Sequence, residues 1–181
     1  VDLRLPSGGV TVLFGVSGCG KTTVLRSAAG LEKAQGYVRI AGQVWQDDEK
    51  HLFVPTYKRR IGYVFQEASL FDHLNVRENL RFGLKRISDE DGEKRLDDAV
   101  ELLGIGHLLE RRTSELSGGE RQRCAIARSL AIKPTALFMD EPLAALDHAR
   151  RLEIVPWIDR LKKELNLPIL YVTHSEEEVM R

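Results

Sequence analysis

Apolar residues fall first into short continuous runs, then into spaced sets, then into runs again, and these changes of period mark the elements. Residues 10–14 form an apolar run that ends at Gly15, and 22–29 continue in a helical pattern stopped by Gly30, which together predict strand, loop and helix. Segments 37–40 and 43–45 flank Ala41-Gly42 and read as a hairpin. The β-rich run 61–65 predicts a strand inside a sheet, ending at Gln66. The pattern then turns helical: Asn75 is placed to cap a helix over 76–84, and Ser88 to cap another that runs through Leu103 and is stopped by Gly104. Alternation resumes with a helix over 119–132 ended by Pro134 and a buried strand over 136–139. A helix over 149–165, which Pro156 should kink, and a buried strand over 169–172 follow. Apolar strands alternating with helices imply an α/β fold whose parallel sheet is covered on both faces. The expected organisation is a core made of 1–69 and 116–181, interrupted by a mostly helical subdomain over 70–115, with no internal repeat.

Composition narrows the partners. The 181 residues suffice for one sizeable core, and 27 Lys plus Arg balance 27 Asp plus Glu, so no net positive field favours nucleic acid or a membrane surface. Cys19 and Cys124 match neither a metal-ligand spacing nor a disulfide framework, which suits a reducing cytoplasm. No stretch has the length of apolar sequence a membrane helix needs, so attachment to a membrane would come through another protein. Val1 in place of Met, and an end at Met180-Arg181 in what reads as the first turns of a helix, predict a piece of a longer chain.

Chemistry concentrates where strands end. Gly15-Val16-Ser17-Gly18-Cys19-Gly20-Lys21-Thr22 fits G-x-x-x-x-G-K-[ST]. Its glycines let the backbone curl so that N–H groups face phosphate oxygens, and the following helix adds its positive end. Lys21 then reaches the β- and γ-phosphates, and Thr22 offers a hydroxyl to Mg²⁺. Asp140 and Glu141 close the apolar run 136–139, at the carboxyl end of a strand where open α/β sheets bind ligands, and Asp140 there can hold Mg²⁺. His174 should emerge at the same edge, within reach of a γ-phosphate. Ser117-Gly118-Gly119 precedes a helix and makes a second anion site, although Ser117 as a plain helix cap accounts for the same residues.

Leu116-Ser117-Gly118-Gly119-Glu120, lying between the phosphate loop and Asp140-Glu141 and joined by Gln66, Asp147 and His174, resembles the ATP-binding cassette ATPases that drive membrane transporters. The resemblance spans Gly15 to His174. It implies a P-loop NTPase core of the RecA-like kind with the family's helical insert, here without its N- and C-terminal strands. It further implies ATP and Mg²⁺ as cofactors, with Thr23 joining the loop as a nucleotide contact. By resemblance Glu141 is the general base, His174 holds Glu141 and the attacking water in line, and Gln66 contacts Mg²⁺ and that water. The family pairs two subunits head to tail, so that Ser117, Gly118 and Gly119 close over the partner's ATP while Asp147 senses the opposite site. An aromatic side chain from an upstream strand usually stacks on adenine. Here Phe14 is the only aromatic residue before Gly15, and it is expected inside the buried strand, which leaves the adenine platform unassigned.

The stretches 55–66 and 70–83 look most like the ATPases of bacterial molybdate importers, with Asp72 in place of their usual proline. In importers of this family the residues after the glutamine receive a cytoplasmic helix of the membrane subunit, which nominates Leu70, Phe71 and His73; packing within the core is their alternative. The implied setting is a homodimer on the cytoplasmic face of the plasma membrane, held by permease subunits and served indirectly by a periplasmic binding protein, without nucleic acid. An ATPase of a sulfate, iron, sugar or polyamine importer remains the alternative. A clamp ATPase of DNA maintenance fits less well, because only about 50 residues separate Gln66 from Ser117. A translation-associated cassette fits poorly with the neutral charge.

Overall fold

The computed structural model describes residues 2–84 and 91–180. Its centre is a four-stranded sheet of β1 (Gly9–Phe14), β5 (Ile61–Val64), β6 (Ala136–Asp140) and β7 (Pro168–Thr173) in the order β1-β7-β6-β5. Every pairing in it is parallel. Alternate residues of the two central strands serve opposite faces. Leu137, Met139, Ile169 and Tyr171 pack under α2 (Val76–Arg81), α3 (Gly92–Leu103), α4 (Gly118–Ala131) and α5 (His148–Glu164). Phe138, Leu170 and Val172 pack against Leu25 and Ala29 of α1 (Lys21–Ala29) and Trp45. Burial on both faces is why these strands read as continuous apolar runs.

The hairpin forms as β2 (Tyr37–Ile40) and β3 (Gln43–Asp47), and β4 (Leu52–Phe53) extends it into a three-stranded antiparallel sheet that the sequence pattern did not announce. Arg59, 4% exposed, ties that sheet to the core: its guanidinium donates to Val54 O and Ala28 O at 2.7 Å and stacks near Trp45 and Phe53. Burial lowers its pKa.

Several boundaries move from the expected ones. β5 stops at Val64, so Gln66 lies beyond the strand. Helix α2 ends at Arg81 instead of 84, whereas α5 forms as one helix that contains Pro156, as expected. Asn75 caps α2 as expected, in a reciprocal capping box with Glu78, and Gly104 ends α3 at φ +60°. The cap expected at Ser88 lies outside the described residues. The sharpest difference is Phe14, which is 49% exposed where a buried strand residue was expected, because β1 is an edge of the sheet among the described residues. The helices of 70–115 share one apolar core with α4, α5 and the sheet. Short α6 (Glu176–Val179) follows β7.

Candidate active site

Because the sheet is parallel, the carboxyl ends of its strands share one edge, and the phosphate loop, Gln66, Asp140-Glu141 and His174 all follow from that edge. The loop leaves β1 at Gly15. Gly18 and Gly20 sit at φ +82° and +94°, backbone that glycine adopts without strain. Lys21, 9% exposed at the start of α1, donates through Nζ to Gly15 O and Val16 O, both at 2.8 Å, with Cys19 Sγ at 3.7 Å. The loop therefore curls round its own ammonium group. Ser17, Gly18 and Cys19 are exposed at its rim, and Thr23 is exposed on the first turn of α1.

Thr22, the second residue of that helix, donates from Oγ1 to Asp140 Oδ1 at 2.7 Å. Tyr63 of β5 donates to the other oxygen, Asp140 Oδ2, at 3.0 Å. Asp140 is 5% exposed, and both of these partners are neutral hydroxyls. Burial, with Asp140 second, raises the Tyr63 pKa well above the ordinary phenol value, so the hydroxyl keeps its proton.

Glu141 follows with φ +45°, a left-handed backbone that an L-residue enters at a cost of about 1–2 kcal/mol. Its amide still donates to Val172 O at 3.0 Å, so the chain leaves the sheet only after that bond. The turn carries the side chain to His174, whose Nδ1 lies 3.0 Å from Glu141 Oε2. His174 is exposed. Gln66 is exposed as well. The backbone around it is held by Gln122, which donates to Phe65 O at 3.4 Å, and by Arg128, which donates to Ser69 O at 3.0 Å.

The signature residues form a separate group. Ser117 caps α4 in a reciprocal box: its Oγ accepts from the Glu120 amide at 3.2 Å, and its own amide donates to Glu120 Oε2 at 2.7 Å. Burial works against it, but those bonds to Ser117 hold the Glu120 carboxyl below its usual pKa. Asp147 caps α5, accepting from the Arg150 amide at 3.0 Å. A Cβ on Gly118 would lie 2.8 Å from Leu146, so the two helix starts are neighbours. The two helix N-termini therefore share one rim, which also carries the Glu120 and Asp147 carboxylates.

Of the proposed docking residues, His73 is exposed, while Leu70 and Phe71 are half-buried. Phe71 packs on Phe82 with ring centroids 4.3 Å apart and lies under Arg128. Fully buried Asn79 shapes their loop, accepting from the Phe71 amide at 2.8 Å and donating to Phe71 O at 3.1 Å. Tyr63, Asn79, Gln122 and Arg128 carry no motif, and none was expected from the sequence.

A phosphate loop, a buried carboxylate beside its threonine and a glutamate bonded to a histidine define a P-loop nucleotide-binding protein. The family model for the ABC transporter matches residues 1–144, and the chain belongs to that family. It is 60% identical over 181 residues to the molybdenum import ATP-binding protein ModC of Pseudomonas syringae pv. tomato, covering 99% of this chain and 50% of that protein. It is 61% identical over 184 residues to the protein of the same name in Methylococcus capsulatus, covering 100% of this chain and 50% of that one. The structure of cbiO1 from Clostridium perfringens, part of the ABC transporter complex cbiONQ, matches with a TM-score of 0.81 at 31% identity, over 97% of this chain and 70% of that one. A dimeric ATP-binding cassette in a post-hydrolysis state with ADP and Pi matches at 0.76 and 29% identity, over 98% and 79% of the two chains. The chain spans about half the length of the curated relatives it matches. Among the described residues no helix is long and apolar enough to cross a membrane.

Proposed function

We propose that this chain is the ATP-binding and ATP-hydrolysing part of an importer subunit that drives uptake of a molybdate-like oxyanion. The observation that carries the reading is the meeting, at one sheet edge, of Thr22 with Asp140 and of Glu141 with His174. The relatives' printed names support the transported substrate.

The loop fits a triphosphate: its amides and the start of α1 face an anion, and Lys21 exchanges its bonds to Gly15 O and Val16 O for phosphate oxygens. Asp140 also fits a divalent cation, being a buried carboxylate met by hydroxyls, one of which can keep its proton on Asp140 while turning a lone pair outward. Thr22 and Asp140, together with Gln66, would hold Mg²⁺, which would supply neutralisation of phosphate charge. Glu141 accepts the proton of the attacking water, and His174 fixes the carboxyl in the rotamer that does so. Ser117, Gly118, Gly119 and Asp147 act across a head-to-tail homodimer, where the rim formed by α4 and α5 meets the second subunit's nucleotide. Leu70, Phe71 and His73 receive the permease on the cytoplasmic face of the membrane, and a periplasmic binding protein delivers the oxyanion beyond it.

Glu141→Gln tests this reading, since the amide keeps shape without basicity. Phosphate release should fall by about 10²–10⁴-fold, in the range for loss of a general base, while ATP-dependent dimers accumulate in light scattering. Hydrolysis at the unmodified rate refutes Glu141 as the base.

A further inference from the structure

We infer that Tyr63 is the positioning residue of Asp140 and sets how strongly a divalent cation adds to nucleotide affinity; this rests on the nucleotide-site reading above. The register places Tyr63 beside Phe138, on the α1 face of the sheet. From there the ring reaches diagonally, one side-chain step along β6, to Asp140 on the same face.

The direction of each bond follows from chemistry. A carboxylate only accepts, so the 3.0 Å contact to Asp140 Oδ2 takes the single phenol proton of Tyr63. Thr22 holds the other oxygen, Asp140 Oδ1, at 2.7 Å.

The consequence is rotational. A carboxylate turns broadly about its last torsion unless both oxygens are held. Thr22 keeps its proton on Asp140 Oδ1 while its lone pair faces a cation, and Tyr63 supplies the second hold, on Oδ2, that stops the carboxylate from turning. Partners of this kind behind metal-binding groups change metal affinity by roughly 10–100-fold when removed. Tyr63 also stands three residues before Gln66 on the same strand exit, with its ring 4.5 Å from that of Phe65. It therefore joins the Asp140 end of the site to the segment that carries Gln66.

The test is Tyr63→Phe, which deletes one oxygen. Affinity for trinitrophenyl-ATP is titrated in EDTA and again in millimolar MgCl₂, and the ratio of the two constants is the readout. We expect the EDTA value to stay within about twofold, and the gain on adding Mg²⁺ to shrink by about tenfold. A purely structural residue moves both constants together, and that result overturns the proposal, as does an unchanged ratio. If Tyr63→Phe does not fold, Tyr63→Met, an unbranched apolar side chain without the hydroxyl donor, reads the same ratio: a reduced gain supports the proposal, and an unchanged one overturns it. Failure of the unmodified protein to bind the nucleotide at all counts against the functional reading instead, so the two failures are distinguishable.

Discussion

Substituting Ser117 by Asp separates its helix cap from the phosphate contact proposed for it across a dimer. The present cap consists of one acceptor oxygen 3.2 Å from the Glu120 amide, backed by the Glu120 carboxylate on the Ser117 amide at 2.7 Å. Aspartate ranks with serine as a cap and adds a negative charge at the positive end of the 14-residue α4, so folding stability should change by no more than about 0.5 kcal/mol. The dimer responds differently. A carboxylate brought within about 4 Å of a phosphate oxygen costs about 4 kcal/mol at an effective dielectric constant near 20, which is roughly a thousandfold in affinity. Urea unfolding followed by Trp45 and Trp157 fluorescence measures the first quantity, and ATP-dependent light scattering in the Glu141→Gln background measures the second. The expected outcome is an unmoved unfolding midpoint with no ATP-induced dimer. Dimerisation at unmodified ATP concentrations refutes the contact in trans and leaves Ser117 as a cap alone.

Three further outcomes follow from the geometry. Ser117→Arg and Lys21→Ala should each give an inactive homodimer, yet mixing them should restore measurable phosphate release, because the mixed dimer gathers both defects into one composite site; full activity of the Ser117→Arg homodimer excludes the head-to-tail arrangement. Gly104→Ala places a Cβ 2.3 Å from Trp157 at φ +60°, and left-handed strain together with overpacking should destabilise the protein by about 3 kcal/mol; an unfolding free energy within 0.5 kcal/mol of unmodified, roughly the scatter of surface substitutions, contradicts that packing. The lowered Glu120 pKa means that its box adds stability above the ordinary glutamate value of about 4.3 and loses it as pH falls through the lower folded value. Glu120→Gln should therefore flatten the acid side of a melting-temperature profile, and an unaltered slope there counts against the box.

What the sequence determined by itself is local. The phosphate loop, the Ser117 and Asn75 caps and the Gly104 stop each lie within a few consecutive residues, so spacing alone exposes them. The two-sided burial of the parallel strands was legible for the same reason, because a fully covered strand has no polar alternation. Tertiary structure decided what depends on which strands are neighbours. Phe14 sits in an apolar run but on a strand that is an edge of the sheet among the described residues, so a pattern that implied burial corresponds to an exposed ring. The extra strand β4 exists through pairing with β3, and Arg59 is buried because backbone carbonyls from three separate segments surround it. Tyr63 and Asp140 are 77 positions apart, and nothing in either local sequence ties a phenol to a carboxylate. Their contact arises because β5 and β6 pair in a parallel register that sets both side chains on the face covered by α1, and only the folded sheet fixes that register.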